Sequence, residues 1–164
     1  VQVTAQARFD AEPDEVAAMY ADERFVAAKV EATGALSYTL DVVGYAQGPF
    51  TVTTRRHMPT DDIPPQFRSL VGATLEVRQV EAWEAPTDGS RVATIAVEVT
   101  GAPVRVTGTA RMSRGAAGGT VVDLAGDVHA SVPIFGHAIE QATARALVAA
   151  VEAEQRTGTT WLGA

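Results

Sequence analysis

Odd positions from Val1 to Phe9 are apolar or small (Val1, Val3, Ala5, Ala7, Phe9), and even ones are polar (Gln2, Thr4, Gln6, Arg8). That is the period of a strand with one buried face. Asp10-Ala11-Glu12-Pro13 ends the alternation; proline is tolerated in a first helical turn and acids favour a helix N-terminus. Asp14–Lys29 therefore predicts one helix, or two broken near Asp22, with Val16, Met19, Tyr20, Phe25 and Val26 buried and Gly34 closing the section. From Leu36 to Ala130 the two-residue period returns. It predicts strands at Tyr38–Val43, Phe50–His57, Ala73–Glu84, Arg91–Thr100, Val104–Ser113 and Thr120–Ala130, separated by Gly- and Pro-rich turns. Met58–Gly72 breaks the pattern. Pro59, Pro64 and Pro65 exclude a continuous helix or a central strand, and the acidic pair Asp61-Asp62 lies between them. A loop with a short helical turn around Gln66–Leu70 is predicted; its Ile63, Phe67 and Leu70 suit either a lid over a cavity mouth or packing against the first helices.

The period then changes to that of a helix. In Val132–Arg156, Phe135, Ile139, Ala142, Ala146, Ala150 and Ala153 recur at three- and four-residue spacing, opposite Gln141, Arg145, Glu152 and Arg156. Pro133 near the start and Gly158 past the end punctuate this helix, with Ser131 as a candidate cap. A face that is mostly methyl groups either packs very close to its neighbour or leaves space beneath it. Seven alternating strands in antiparallel meander order curl when strongly twisted, and only the last helix is large enough to fill the concave side. The predicted fold is α+β: a curved seven-stranded sheet gripping a long C-terminal helix, with one or two short helices after the first strand, in one domain of 164 residues.

Charge and composition remove several function classes. The net charge is -7 with no run of Lys or Arg, which argues against a nucleic-acid partner and against an anionic membrane surface. There are no cysteines, hence no disulfides, thiolate metal sites or cysteine nucleophile. No apolar stretch reaches the ~20 residues of a membrane span, so stable insertion is not expected. The chain begins in a strand and not in a signal peptide, and the cytoplasm is the expected location. Oligomeric state is left open.

Some motifs carry a resemblance. Phe9-x-x-x-Pro13-x-x-Val16 is similar to the strand-then-helix opening of the START-like (SRPBCC) superfamily, the helix-grip fold shared with the birch pollen allergen and polyketide cyclases. Arg55-Arg56-His57-Met58-Pro59, Ile63-Pro64 and Val132-Pro133-Ile134-Phe135-Gly136-x-x-Ile139-Glu140 resemble an uncharacterised bacterial branch of it, a family of unknown function. The resemblance spans essentially the whole chain. It implies a cavity between sheet and helix for an apolar or amphipathic small molecule, such as a lipid or polyketide-like compound, with no cofactor. It implies no particular reaction, since the fold also hosts cyclases and co-chaperones.

Alternation assigns candidate ligand-contacting residues. Tyr38, Leu40, Phe50, Val52, Val77, Trp83, Val97, Val106 and Leu124 fall on the inner face, and Arg56, Gln79 and Glu81 share that phase. Phe135, Ile139, Ala142 and Ala146 face them from the helix. A charge in an apolar interior must be paired. Arg56 and Glu81 either form an ion pair at an open end of the sheet, or Arg56 holds a ligand anion through its planar fork, with Arg55 taking that place if the register shifts. His57, His129 and His137 match no zinc spacing. Glu140 suits either the electrostatics of the helix start or a general acid, and an enzyme of the cyclase or aromatase kind would draw on Arg56, Glu81, Glu140 or a tyrosine. A co-chaperone-like interaction module with a filled core is the remaining alternative.

Overall fold

All seven alternating segments pair into one antiparallel sheet. The computed structural model describes every residue except Asp62, so that member of the Asp61-Asp62 pair lies outside the described residues. The strands are β1 (Gln2–Phe9), β2 (Ser37–Gly44), β3 (Phe50–Pro59), β4 (Thr74–Trp83), β5 (Arg91–Thr100), β6 (Val104–Arg114) and β7 (Thr120–Ala130). Their spatial order is β1-β7-β6-β5-β4-β3-β2. Strands β2 to β7 form the expected meander, but β1 pairs with the last strand and not the second, with Ala5 opposite Leu124. Two helices, α1 (Pro13–Tyr20) and α2 (Glu23–Glu31), carry the chain from one edge of the sheet to the other. The break between them falls at Asp22, whose side chain caps α2 by accepting the Arg24 amide hydrogen at 2.9 Å.

The long helix α3 spans Gly136–Gly163, shifted from the expected Val132–Arg156. Pro133 lies outside it, in a turn where Ile134 adopts φ 69° and is 94% exposed. Such a backbone is strained for a β-branched residue. Ser131 does not cap the helix; its first turn has no side-chain cap. The carboxylate of Glu140 instead accepts the Ala130 amide hydrogen at 3.1 Å, tying the helix start to the end of β7. That amide bond holds the Glu140 carboxyl below its ordinary range. The expected loop holds a 3-10 turn over Pro65–Leu70, whose buried Phe67 packs edge-on against Phe135 with ring centres 5.7 Å apart.

Gly158 does not end the helix. It lies within α3 and is buried because a Cβ there would collide with the Phe9 ring of β1 and reach 3.0 Å from the Met19 methyl of α1. Gly158→Ala is expected to lose up to about 2 kcal/mol net: overpacking costs about 1–3 kcal/mol and the gain in helix propensity returns about 1 kcal/mol. Chemical denaturation measures the sign directly, and a stabilised variant would refute the close approach.

The buried side chains form two clusters. One is aromatic: Tyr20 packs on Phe9, Phe25 and Trp83, while Phe50 stacks on Trp83 and Trp161 of α3 meets Phe25. The other is aliphatic, built on Val97, Val104, Val106, Val128 and Ala130, with Ile139, Ala144 and Leu147 of α3 packed against it. Ile95 touches both.

Candidate functional site

A cavity of about 100 Å³ lies between the sheet and α3, lined by residues of both clusters. Apolar side chains of β1, β5, β6, β7 and α3 form most of its wall, among them Val97, Val106, Leu124, Leu147 and Val151. Its polar wall comes from Lys29 of α2, Thr33 in the turn that follows, β3 (Thr54, Arg56), β4 (Gln79, Glu81) and the Glu154 carboxylate of α3.

Sheet register decides who pairs with whom on that wall. Val77 lies opposite Arg56, Gln79 opposite Thr54, and Glu81 opposite Val52. Gln79 is thus the diagonal neighbour of Arg56, within reach of a long side chain, and Glu81 is one diagonal step too far. Both terminal nitrogens of Arg56 accordingly donate to the Gln79 Oε1 at 3.4 Å, and the expected Arg56–Glu81 ion pair does not form. The Arg56 Nε is sealed from solvent without a hydrogen-bond partner. Burial pulls the guanidinium below its ordinary pKa, against the field of Glu81.

Glu81 is paired from across the interior. Lys29, 9% exposed near the end of α2, places its ammonium 3.3 Å from Glu81 Oε2 and 3.5 Å from Glu154 Oε2. The Tyr20 hydroxyl donates to the other oxygen of Glu154. The ammonium also sits 5.3 Å from the centre of the Tyr20 ring. Burial presses Lys29 towards neutrality, but Glu154 and Glu81 outweigh it and its pKa is raised. Burial is the main reason that Glu154 is pushed up, helped by Glu81 and opposed by Lys29. Burial and the adjacent Glu154 raise Tyr20 well above the ordinary phenol value.

The sixteen residues expected to contact a ligand divide accordingly. Val52, Arg56, Gln79, Glu81, Val97, Val106 and Leu124 line the cavity. Phe50 and Trp83 face inward but sit in the solid aromatic cluster, because alternation selects a face of the sheet and not a level along it. Leu40 packs beside that cluster, and Val77 and Ile139 beside the aliphatic one. Tyr38, on the edge strand β2, donates its hydroxyl to Glu31 of α2. Phe135 is 42% exposed against Phe67.

The small face expected of α3 needs correction. Ala142 is half-buried and lies outside the cavity lining, and Ala146 is exposed to solvent. The helix turns Leu147, Ala150, Val151 and Glu154 inward, since the larger apolar side chains gain more from burial. Lys29, Glu154 and Tyr20 were absent from the expected site. Their signal is a polar group on an apolar helical stripe: Lys29 follows Phe25 by four residues and Val26 by three, and Glu154 follows Ala150 and Val151 likewise. Of the histidines, His129 and His57 are exposed beside Glu140 and Glu76, and no three metal-ligating side chains come together among the described residues. Among those residues, no helix is long and apolar enough to cross a membrane.

The sequence profile of a family described as "Protein of unknown function (DUF2505)" matches residues 4–162. The chain belongs to this family. A relative is the uncharacterized protein Rv0481c of Mycobacterium tuberculosis, 29% identical over 116 residues, which are 70% of this chain and 67% of that one. Among solved structures, TTHA0849 from Thermus thermophilus is similar at a TM-score of 0.60 and 16% identity, over 98% of this chain and 95% of that one. Ara h 8.0201 is similar at a TM-score of 0.54 and 11% identity, over 98% of each chain. This DUF2505 chain therefore has the START-like helix-grip fold, as its motifs implied, and the likeness at such identities extends to the fold alone.

Proposed function

We propose that this DUF2505 protein binds a small amphipathic molecule in the cavity between sheet and α3. The polar part lies towards Arg56, Gln79 and the Lys29 cluster, and the apolar part against Val97, Val106, Leu124 and Leu147. The observation that carries this reading is a largely apolar cavity with a buried, charged wall. Buried charges are costly, and an apolar core would serve stability as well. A cavity of about 100 Å³ favours a compact occupant; an apolar cavity of about 150 Å³ accepts benzene. A lipid chain would require α3 to move outward. The presence of the cavity favours binding over a filled interaction module. Binding is also favoured over acid–base catalysis, because Tyr20 and Lys29 occupy both oxygens of Glu154.

Benzyl alcohol, a neutral compact amphiphile, tests the reading. At ten times its Kd it should stabilise the protein by about 1.4 kcal/mol, which raises the Tm of a chain this size by about 3–6 °C. Ala150→Leu projects into the cavity and should abolish that shift, whereas Ala146→Leu, on the exposed side of α3, should leave it unchanged. An unshifted wild type, or an Ala150→Leu variant that binds like the wild type, would overturn the reading. Native mass spectrometry of gently purified protein would identify any natural occupant.

A further inference from the structure

The charges on the cavity wall are unequally served, and this bears on the class of occupant. Lys29 has two carboxylates within 3.5 Å, those of Glu81 and Glu154. Arg56 has none within ion-pair distance among the described residues. Its two terminal nitrogens share one neutral oxygen, that of Gln79, at the long limit of a hydrogen bond, and its Nε has no partner. A guanidinium offers five donors in a planar fork that matches the two oxygens of a carboxylate. Here that fork borders an apolar cavity with no carboxylate in direct contact among the described residues, although the field of Glu81 reaches it. The Nε is closed to solvent and so to a ligand, which leaves the two terminal nitrogens as the donors an anion would meet.

Among the described residues of the wall, an incoming anion would find one cation without a carboxylate in contact and not two. Lys29 is held between its carboxylates, and displacing either would leave a buried charge unpaired, the most expensive outcome available. Arg56 gives up only two weak contacts to a neutral amide. Beyond the guanidinium, the wall formed by Val97, Val106, Leu124 and Leu147 offers an apolar part of the molecule no hydrogen-bonding side chain. The arrangement thus suits a molecule with one planar anionic end and an otherwise apolar body.

We propose that the occupant is a compact organic monocarboxylate, its carboxylate held by the Arg56 fork and its body against the aliphatic wall. This rests on the cavity reading above and narrows it to one chemical class. Arg56 is then the residue that sets specificity, and Gln79 positions it by holding its terminal nitrogens in the absence of ligand.

Isothermal titration of the intact chain with benzoate and hexanoate, set against benzyl alcohol and 1-hexanol, tests the assignment. The carboxylates should bind roughly tenfold to a hundredfold tighter than the alcohols, the range expected for hydrogen bonds to a charged group. Arg56→Gln should erase the preference, bringing the carboxylates to no more than the affinity of the alcohols in the same variant, and Arg56→Lys should retain part of it, because an ammonium keeps the charge but not the fork. The wild-type comparison needs no variant, so the test stands if Arg56→Gln fails to fold. Alcohols bound as tightly as the carboxylates would overturn the monocarboxylate while leaving the cavity reading intact. A preference that survives Arg56→Gln would remove Arg56 as the anchor. Binding of neither series would overturn both readings.

Discussion

Replacing Lys29 with methionine should destabilise the protein by about 3–5 kcal/mol at neutral pH, the cost of breaking a buried charge pair from one side. Methionine is close in length and keeps the packing against Tyr20 and Phe25, so the loss reports the charge. Glu81, 5% exposed, and Glu154 would then face each other without a cation. The pH dependence distinguishes this from simple loss of packing. Glu154 is already raised by burial and would rise further once Lys29 is gone. A carboxyl whose folded pKa exceeds its unfolded value of about 4.3 binds protons more tightly in the folded chain, so stability falls as pH climbs through that window. The Lys29→Met deficit should therefore shrink as the pH is lowered towards 4, and the triple variant Lys29→Met/Glu81→Gln/Glu154→Gln should recover most of the loss at pH 7. The contribution of Lys29 in the wild type has the same sign, but its window is alkaline. The folded pKa of Lys29 is raised, so its contribution is complete below the unfolded value of about 10.4 and is lost as pH rises through the folded one. Urea denaturation of both proteins from pH 4 to about 11 covers the acid window and enters the alkaline one; a pH-independent deficit would mean that the cluster is not ionised as described.

Gly108→Ala is the second large effect, expected at about 2–3 kcal/mol, the upper part of the usual range for overpacking. Gly108 in β6 lies directly opposite Gly126 in β7, and both line the cavity. A Cβ on Gly108 would stand 2.5 Å from the Ala125 carbonyl oxygen, and one on Gly126 would stand 2.9 Å from that of Thr107. These obstacles are backbone, which cannot swing aside as a side-chain tip can. Paired glycines at mid-strand let the sheet bend sharply. Both glycines lie on the cavity wall, so the backbone shift that Gly108→Ala forces there should also weaken benzyl alcohol binding. The corresponding change at Gly89, where a Cβ meets nothing but the backbone has φ 78°, should cost less and leave binding unchanged. Denaturation and titration of the two variants make the comparison; equal losses of binding would disprove a local effect at Gly108.

The hydrophobic pattern by itself determined the element types, the face of each strand that is buried, and the helix-grip architecture. Strict alternation along β1 to β7 leaves one wet and one dry face, and only a long terminal helix can cover the dry one. Even the interruption at Asp22 is written locally, as a capping side chain followed by an apolar helical stripe. Tertiary structure decided the site. Arg56 and Glu81 share a face, but the register opposes them to Val77 and Val52, and no local pattern fixes a register between strands that meet across a loop such as Met58–Gly72. Lys29, Glu154 and Tyr20 come from three helices whose relative placement depends on how they cross the sheet, so their meeting with Glu81 is a long-range event. The phase of α3 was decided the same way. Ala146 and Leu147 are adjacent in sequence, and it is burial of the larger side chain against the concave sheet that turned Leu147 inward and Ala146 to water.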